Sequence, residues 1–155
     1  MTTFSSISYN TDTAYNAISA ALDSNYLVGC DTSSTSEYSI PTSHAYSVIG
    51  TYPIKDTSGN VLYRLMHVRN PWGIDHGYYS GPWSDTSSMW TAAYEAQVPF
   101  ANANEGEFFI EIGDFVKAFY YYQIAYVHDN WYHSYYSKTS DDGSVGSYTF
   151  VTTAA

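Results

Sequence analysis

Two flanks set symmetrically about one run of turn residues constrain this chain more than anything else in it. His44-Ala45-Tyr46-Ser47-Val48-Ile49 lies upstream, Val61 to Gly73 lies downstream, and Asp56-Thr57-Ser58-Gly59-Asn60 falls between them. Asp, Ser, Gly and Asn in succession favour a tight reversal, because they tolerate left-handed backbone or bond their own main chain. The β-prone flanks then pair antiparallel, with strands expected from about His44 to Ile54 and from Val61 to Val68. Residues 44 and 70 are equidistant from Thr57, so this pairing carries His44 and Asn70 together at the open end of the hairpin.

The remaining segments are short. Residues 1–11 are polar and read as loose. Asp12 or Thr13 can cap a helix whose apolar face is Ala14, Ala17, Ile18, Ala21 and Leu22. Tyr26 to Cys30 reads as a buried strand, and Asp31 to Ser43 as a Ser- and Thr-rich loop. A long loop spans 70–88, and Ser88 can cap a short helix from Trp90 to Ala96. After a loop at 99–106, Glu107 to Ile112 reads as a strand, Gly113 to Phe119 as a short helix and Gln123 to His128 as a strand. Residues 137–146 have the composition of a linker, and 147–155 form a β-prone run like the first strand of a further, truncated domain. Residues 1–136 are then one α+β domain built on an antiparallel sheet with a few short helices.

Composition excludes some functions. The net charge of −10 disfavours a phosphate backbone as ligand, so no nucleic-acid partner is expected. No stretch reaches the roughly 18 apolar residues of a membrane span. The single cysteine, Cys30, and an N-terminus without a basic-then-apolar leader point to a cytoplasmic setting. Apolar residues make up 45% of the chain, enough for a core, and the 18 tyrosines imply many half-exposed rings with wet hydroxyls.

A histidine held by an asparagine amide is the base and its orienter in a Cys-His-Asn protease. The imidazole takes the thiol proton, and the amide oxygen fixes the ring's tautomer. Trp72, two residues beyond Asn70, can cover that hydrogen bond. The nucleophile is the missing part. Cys30 lies close before His44, with Asp31 beside it, and a neighbouring carboxylate raises a thiol pKa, so a buried structural thiol is the better reading. His67 reads as a hydrogen-bonded strand histidine, His76 as a loop residue within reach of substrate, and His128 and His133 as surface or packing residues. No short ligand spacing supports zinc.

The residues then match a family. His44-Ala45-Tyr46-Ser47-Val48 followed by Val68-Arg69-Asn70-Pro71-Trp72-Gly73 resembles the calpain cysteine proteases. Gly81-Pro82-Trp83-Ser84-Asp85 with Trp90, Glu105-Gly106-Glu107-Phe108-Phe109, and Asp114-Phe115 to Phe119 continue the resemblance, as does Ala21-Leu22 through Cys30 upstream. Phe109 stands where the family usually has Trp.

The resemblance implies a barrel-like half-domain of a papain-like core, the half that carries His44 and Asn70, with protein substrates. Its partner would be the half-domain that bears the cysteine. No Gln-Gly-x-x-Gly-Asp-Cys-Trp-like segment occurs here, so the chain alone is expected to be inactive. The resemblance also implies a calcium site at Asp85, Glu105 and Glu107, with a carbonyl near Ala103. The family acid just before Gly81 falls on Tyr78; the loop is longer here, and Asp75 could compensate. Two alternatives stay open: a non-catalytic protein-binding module, and a minimal enzyme that uses Cys30.

Overall fold

The computed structural model describes residues 2–6, 10–35, 37–75 and 77–126. The linker and strand expected at 137–155, and His76, His128 and His133, lie outside the described residues.

The elements run β1 (Thr2–Ser6), α1 (Thr11–Asp23), β2 (Leu27–Asp31), β3 (Ala45–Lys55), β4 (Val61–Arg69), α2 (Ala92–Glu95), β5 (Glu107–Glu111), α3 (Ile112–Ala118) and β6 (Tyr121–Ala125). All six strands form one antiparallel sheet in the order β1-β6-β2-β3-β4-β5. The fold is α+β, as expected. The described ladders do not join β5 to β1, so the sheet is open along its hydrogen bonds.

Helix α1 starts two to three residues earlier than its composition suggests. Asn10, not Asp12 or Thr13, is the cap, its Oδ1 accepting the N–H of Thr13 at 3.1 Å. The helix buries Ala14, Tyr15, Ile18 and Ala21 against the sheet, close to the face the periodicity specifies. Strand β1 is a departure from expectation. Thr2–Ser6 pairs along its whole length with β6, Thr2 opposite Ala125 and Ser6 opposite Tyr121.

The central hairpin is β3–β4. Asp56 organises its turn: its N–H donates to Asn60 O at 2.9 Å, and its carboxylate accepts the N–H groups of Ser58 and Asn60 at 2.8 Å each. The ladder is irregular between Val48 and Gly50, so the strands are not a simple two-for-two pairing. Beyond that bulge, Ser47 faces Arg69.

Even-numbered residues at the start of β3 (Tyr46, Val48) join Val28, Cys30, Val68, Phe108 and Ile110 beneath α1 and α3 in the main core. A second, aromatic-rich core forms around Ile54, Leu65, Trp83 and Phe109. Trp83 is only 1% exposed and packs edge-on against Tyr63 and Trp90, at 5.0 and 4.9 Å between ring centroids. The Trp90 indole N–H donates to Ser84 O at 3.0 Å. The aromatic residues of the 81–90 segment therefore anchor a loop, and that loop carries Asp85.

Candidate active site

His44 immediately precedes β3, and Asn70 immediately follows β4. His44 Nε2 lies 3.0 Å from Asn70 Oδ1. The juxtaposition the turn symmetry specifies is present in the folded chain.

The amide of Asn70 can face only one way. Its Oδ1 accepts the N–H of Trp72 at 3.0 Å, and its Nδ2 donates to Ile74 O at 3.0 Å. A flipped amide would set N–H against N–H and oxygen against oxygen. With Oδ1 on the histidine side, Nε2 is the nitrogen that carries the proton, since a carbonyl oxygen can only accept. Nδ1 of the neutral ring is then left with its lone pair, the form a general base requires.

Aromatic groups flank the imidazole. The Trp72 indole stacks on it with centroids 4.2 Å apart and planes 30° from parallel, and Tyr46 meets it edge-on at 4.7 Å. Asn70 is fully buried, whereas Trp72 is 52% exposed, so the indole is a cover over the pair and not part of the core. The backbone of His44 is fixed as well: its N–H donates to Thr32 Oγ1 at 3.0 Å, and its carbonyl accepts the Thr32 N–H at 3.0 Å.

Cys30 is fully buried in β2, directly across the ladder from Tyr46. Burial, and secondarily the Asp31 carboxylate, pushes its thiol well above the ordinary range. That is the opposite of what a nucleophilic cysteine needs.

A second constellation lies beside the first. Carboxylate oxygens of Asp75, Asp85 and Glu105 all fall within 4.8 Å of one another. Asp75 and Asp85 are buried. Calcium–oxygen bonds of about 2.3–2.6 Å allow two ligands of one ion to stand up to about 5 Å apart, so this donor set fits a single calcium ion. The hard, all-oxygen chemistry suits calcium rather than zinc or copper.

Glu107 does not join this group. It faces Arg69 across the β4–β5 ladder, and its carboxylate sits 3.1 Å from His67 Nε2 and 3.7 Å from Arg69 Nε. His67 and Arg69 share one face of β4, and the ladder register aims Glu107 at both. Of the three acids expected to hold calcium, Asp85 and Glu105 converge, with Asp75 as the third member of the group, and Glu107 stands apart. Asp75 reaches this group from the loop that follows Asn70.

Gly106 had no assigned role in the sequence, yet it joins the two constellations. Its φ is +90°, and a Cβ there would come within 2.8 Å of Asn70 O and 2.9 Å of Ile74 N. The Glu-Gly-Glu spacing was the available signal.

The model of the calpain family of cysteine proteases matches residues 1–126. The chain belongs to the calpain family of cysteine proteases. It is 34% identical to mouse Calpain-12 over 122 residues, 74% of this chain. It is 35% identical to the human Calpain-1 catalytic subunit over 115 residues, 68% of this chain. Over 80 residues, half of this chain, it is 39% identical to a Calpain from Schistosoma mansoni. The matches span 16% of each mammalian protein and 10% of the Schistosoma one. In this calpain-family chain the histidine and asparagine motifs stand together, whereas its one cysteine is buried and its thiol pKa raised. Among the described residues, no helix is long and apolar enough to cross a membrane.

Proposed function

We propose that this chain is the His/Asn half of a calpain-like cysteine endopeptidase, with His44 as general base and acid, Asn70 as its orienter and Trp72 as the cover. The observation that carries this reading is the 3.0 Å contact between His44 Nε2 and an Asn70 amide whose orientation the main chain fixes. Hydrolysis of internal peptide bonds in protein substrates then needs a thiol from a cysteine-bearing half-domain. There, His44 Nδ1 would take the thiol proton during attack and return it to the leaving amine.

Calcium would be held by Asp75, Asp85 and Glu105, with further oxygens from main chain or water completing its six to eight ligands. When bound, the ion would neutralise three converging carboxylates and pin together the loop segments that carry them. A reducing, cytoplasmic setting suits the single unpaired cysteine.

The buried Cys30 also favours a second reading, a protease-derived module that binds proteins without cleaving them. One experiment separates the readings. The chain is treated with an epoxide probe for activated cysteine-protease thiols, alone and together with the cysteine-bearing half of a calpain relative, and intact masses are read. The protease reading expects no adduct on Cys30, and an adduct on the relative's cysteine that requires this chain and disappears with His44→Ala. Labelling of the relative's cysteine that is the same with His44→Ala overturns it. So does a Cys30 adduct lost in His44→Ala, which would make Cys30 the nucleophile.

A further inference from the structure

The Asn70 amide is clamped by Ile74 O, yet Ile74 is 38% exposed and its side chain does little to hold that carbonyl. The next residue does more. Asp75 is only 4% exposed; its Oδ1 accepts the Gly106 N–H at 3.0 Å, and its own N–H donates to Asn104 Oδ1 at 3.0 Å. Gly106 O in turn accepts the N–H of Asn70 at 2.7 Å. These bonds close a ring: Asn70 N–H to Gly106 O, Gly106 N–H to Asp75 Oδ1, along the chain to Ile74, and Ile74 O back to Asn70 Nδ2. Beside the Asn70 amide, the Asp75 carboxylate is the one side-chain group in that ring.

We infer that Asp75 is a positioning residue for the His44–Asn70 pair: by holding Gly106, it fixes the Ile74 carbonyl that aims the Asn70 amide at His44. The inference rests on reading that pair as the base and its orienter. It does not depend on calcium, although the same carboxylate belongs to the acidic group. Coupling follows from that double use, since whatever the carboxylate binds acts on a ring that contains Asn70.

The test is NMR on the whole chain in chelator, following the His44 ring Nε2–H cross-peak and solvent exchange of the Asn70 side-chain amide protons. Asp75→Ala removes the acceptor for Gly106 N–H. Asp75→Asn keeps an acceptor oxygen and removes the charge. The expected result is loss of the ring-proton signal and about tenfold or greater acceleration of amide exchange in Asp75→Ala, with both preserved in Asp75→Asn. Asp75→Ser, whose hydroxyl stops short of Gly106, should behave as Asp75→Ala and serves if the alanine variant does not fold. A folded alanine or serine variant that keeps both signals overturns the inference. So does a folded Asp75→Asn that loses them. A general loosening would also move amides in β2 and β6, which the positioning role leaves unchanged. The readout needs neither turnover nor calcium, so it stands apart from the protease reading and from the calcium site.

Discussion

The indole of Trp72 lies over the imidazole of His44 at 4.2 Å, and the Trp72 N–H and the His44 ring meet at the same oxygen, Asn70 Oδ1. One residue thus covers the hydrogen bond with its side chain and shares it through its backbone. Trp72→Ala keeps the backbone donor and removes the cover. Exchange of the His44 ring proton should accelerate, while stability changes by less than about 1 kcal/mol, because the indole is half exposed. Magnetisation exchange with water, alongside a urea titration, checks both halves of that expectation.

How much of this was legible in the sequence follows from how local each interaction is. The His44–Asn70 pair could be read because one turn between two β-prone flanks fixes it, although the turn bonds and the bulge at Val48–Gly50 shift the register from the simple midpoint. Helix α1 was legible in its 3.6-residue period, but not in its cap, since Asn10, Asp12 and Thr13 are all competent caps by type. Strand β1 was not legible. Thr2–Ser6 has no distinctive period, and its partner β6 lies at the far end of the described residues. The acidic group mixes both cases. Glu105 and Glu107 look equivalent in sequence, but a glycine of positive φ separates them, and the β4 register hands Glu107 to His67 and Arg69.

Cys30 should behave as a core residue. A thiol reagent should leave it unmodified in the native chain and label it fully in denaturant. Its raised pKa has a definite sign: above about pH 9 the unfolded thiol loses its proton while the folded one keeps it, so stability falls as pH rises. Tyr46 and Tyr79, both raised chiefly by burial, extend that loss to higher pH. Cys30→Ala should cost about 1–2 kcal/mol near neutrality and remove the earliest part of the alkaline decline, as measured by denaturant midpoints across the range.

His67 gives the opposite slope. It is 5% exposed, stacked on Phe109 at 4.3 Å, and its burial lowers its pKa even though Glu107 pulls the other way. Below about pH 6.5 the unfolded imidazole takes up a proton more readily than the folded one, so stability is lost as pH falls, by up to about 1.4 kcal/mol per unit. Burial outweighs the opposing pull of Glu107, whose carboxylate lies 3.1 Å from His67 Nε2. His67→Phe should flatten the dependence between pH 7 and 5. An unchanged slope in that variant would assign the acid sensitivity to other groups.

Gly106 admits no side chain. At φ +90°, a Cβ meets Asn70 O at 2.8 Å, Gly73 Cα at 2.9 Å and Ile74 N at 2.9 Å, all of them backbone atoms that cannot rotate away. Gly106→Ala should therefore cost about 2 kcal/mol or more and disturb the Asn70 amide even where the sheet survives. Thermal unfolding measures the first effect, and the Asn70 side-chain amide shifts report the second.

Calcium affinity distinguishes the two acidic assignments. If the ion sits among Asp75, Asp85 and Glu105, then Asp85→Asn or Glu105→Gln should weaken binding by about tenfold or more, each removing a charged oxygen ligand from one shell. Glu107→Gln should leave affinity within about threefold, because that carboxylate is engaged by His67 and Arg69 on the neighbouring strand. It should instead shift the His67 titration downward, since burial would then act without its opposing partner. Isothermal titration of the metal-free chain with calcium, with each variant's fold confirmed by circular dichroism, reads the first effect, and NMR titration of His67 reads the second. A Glu107→Gln variant that loses calcium as severely as Glu105→Gln would return Glu107 to the ligand set and require the His67 contact to break when the ion binds.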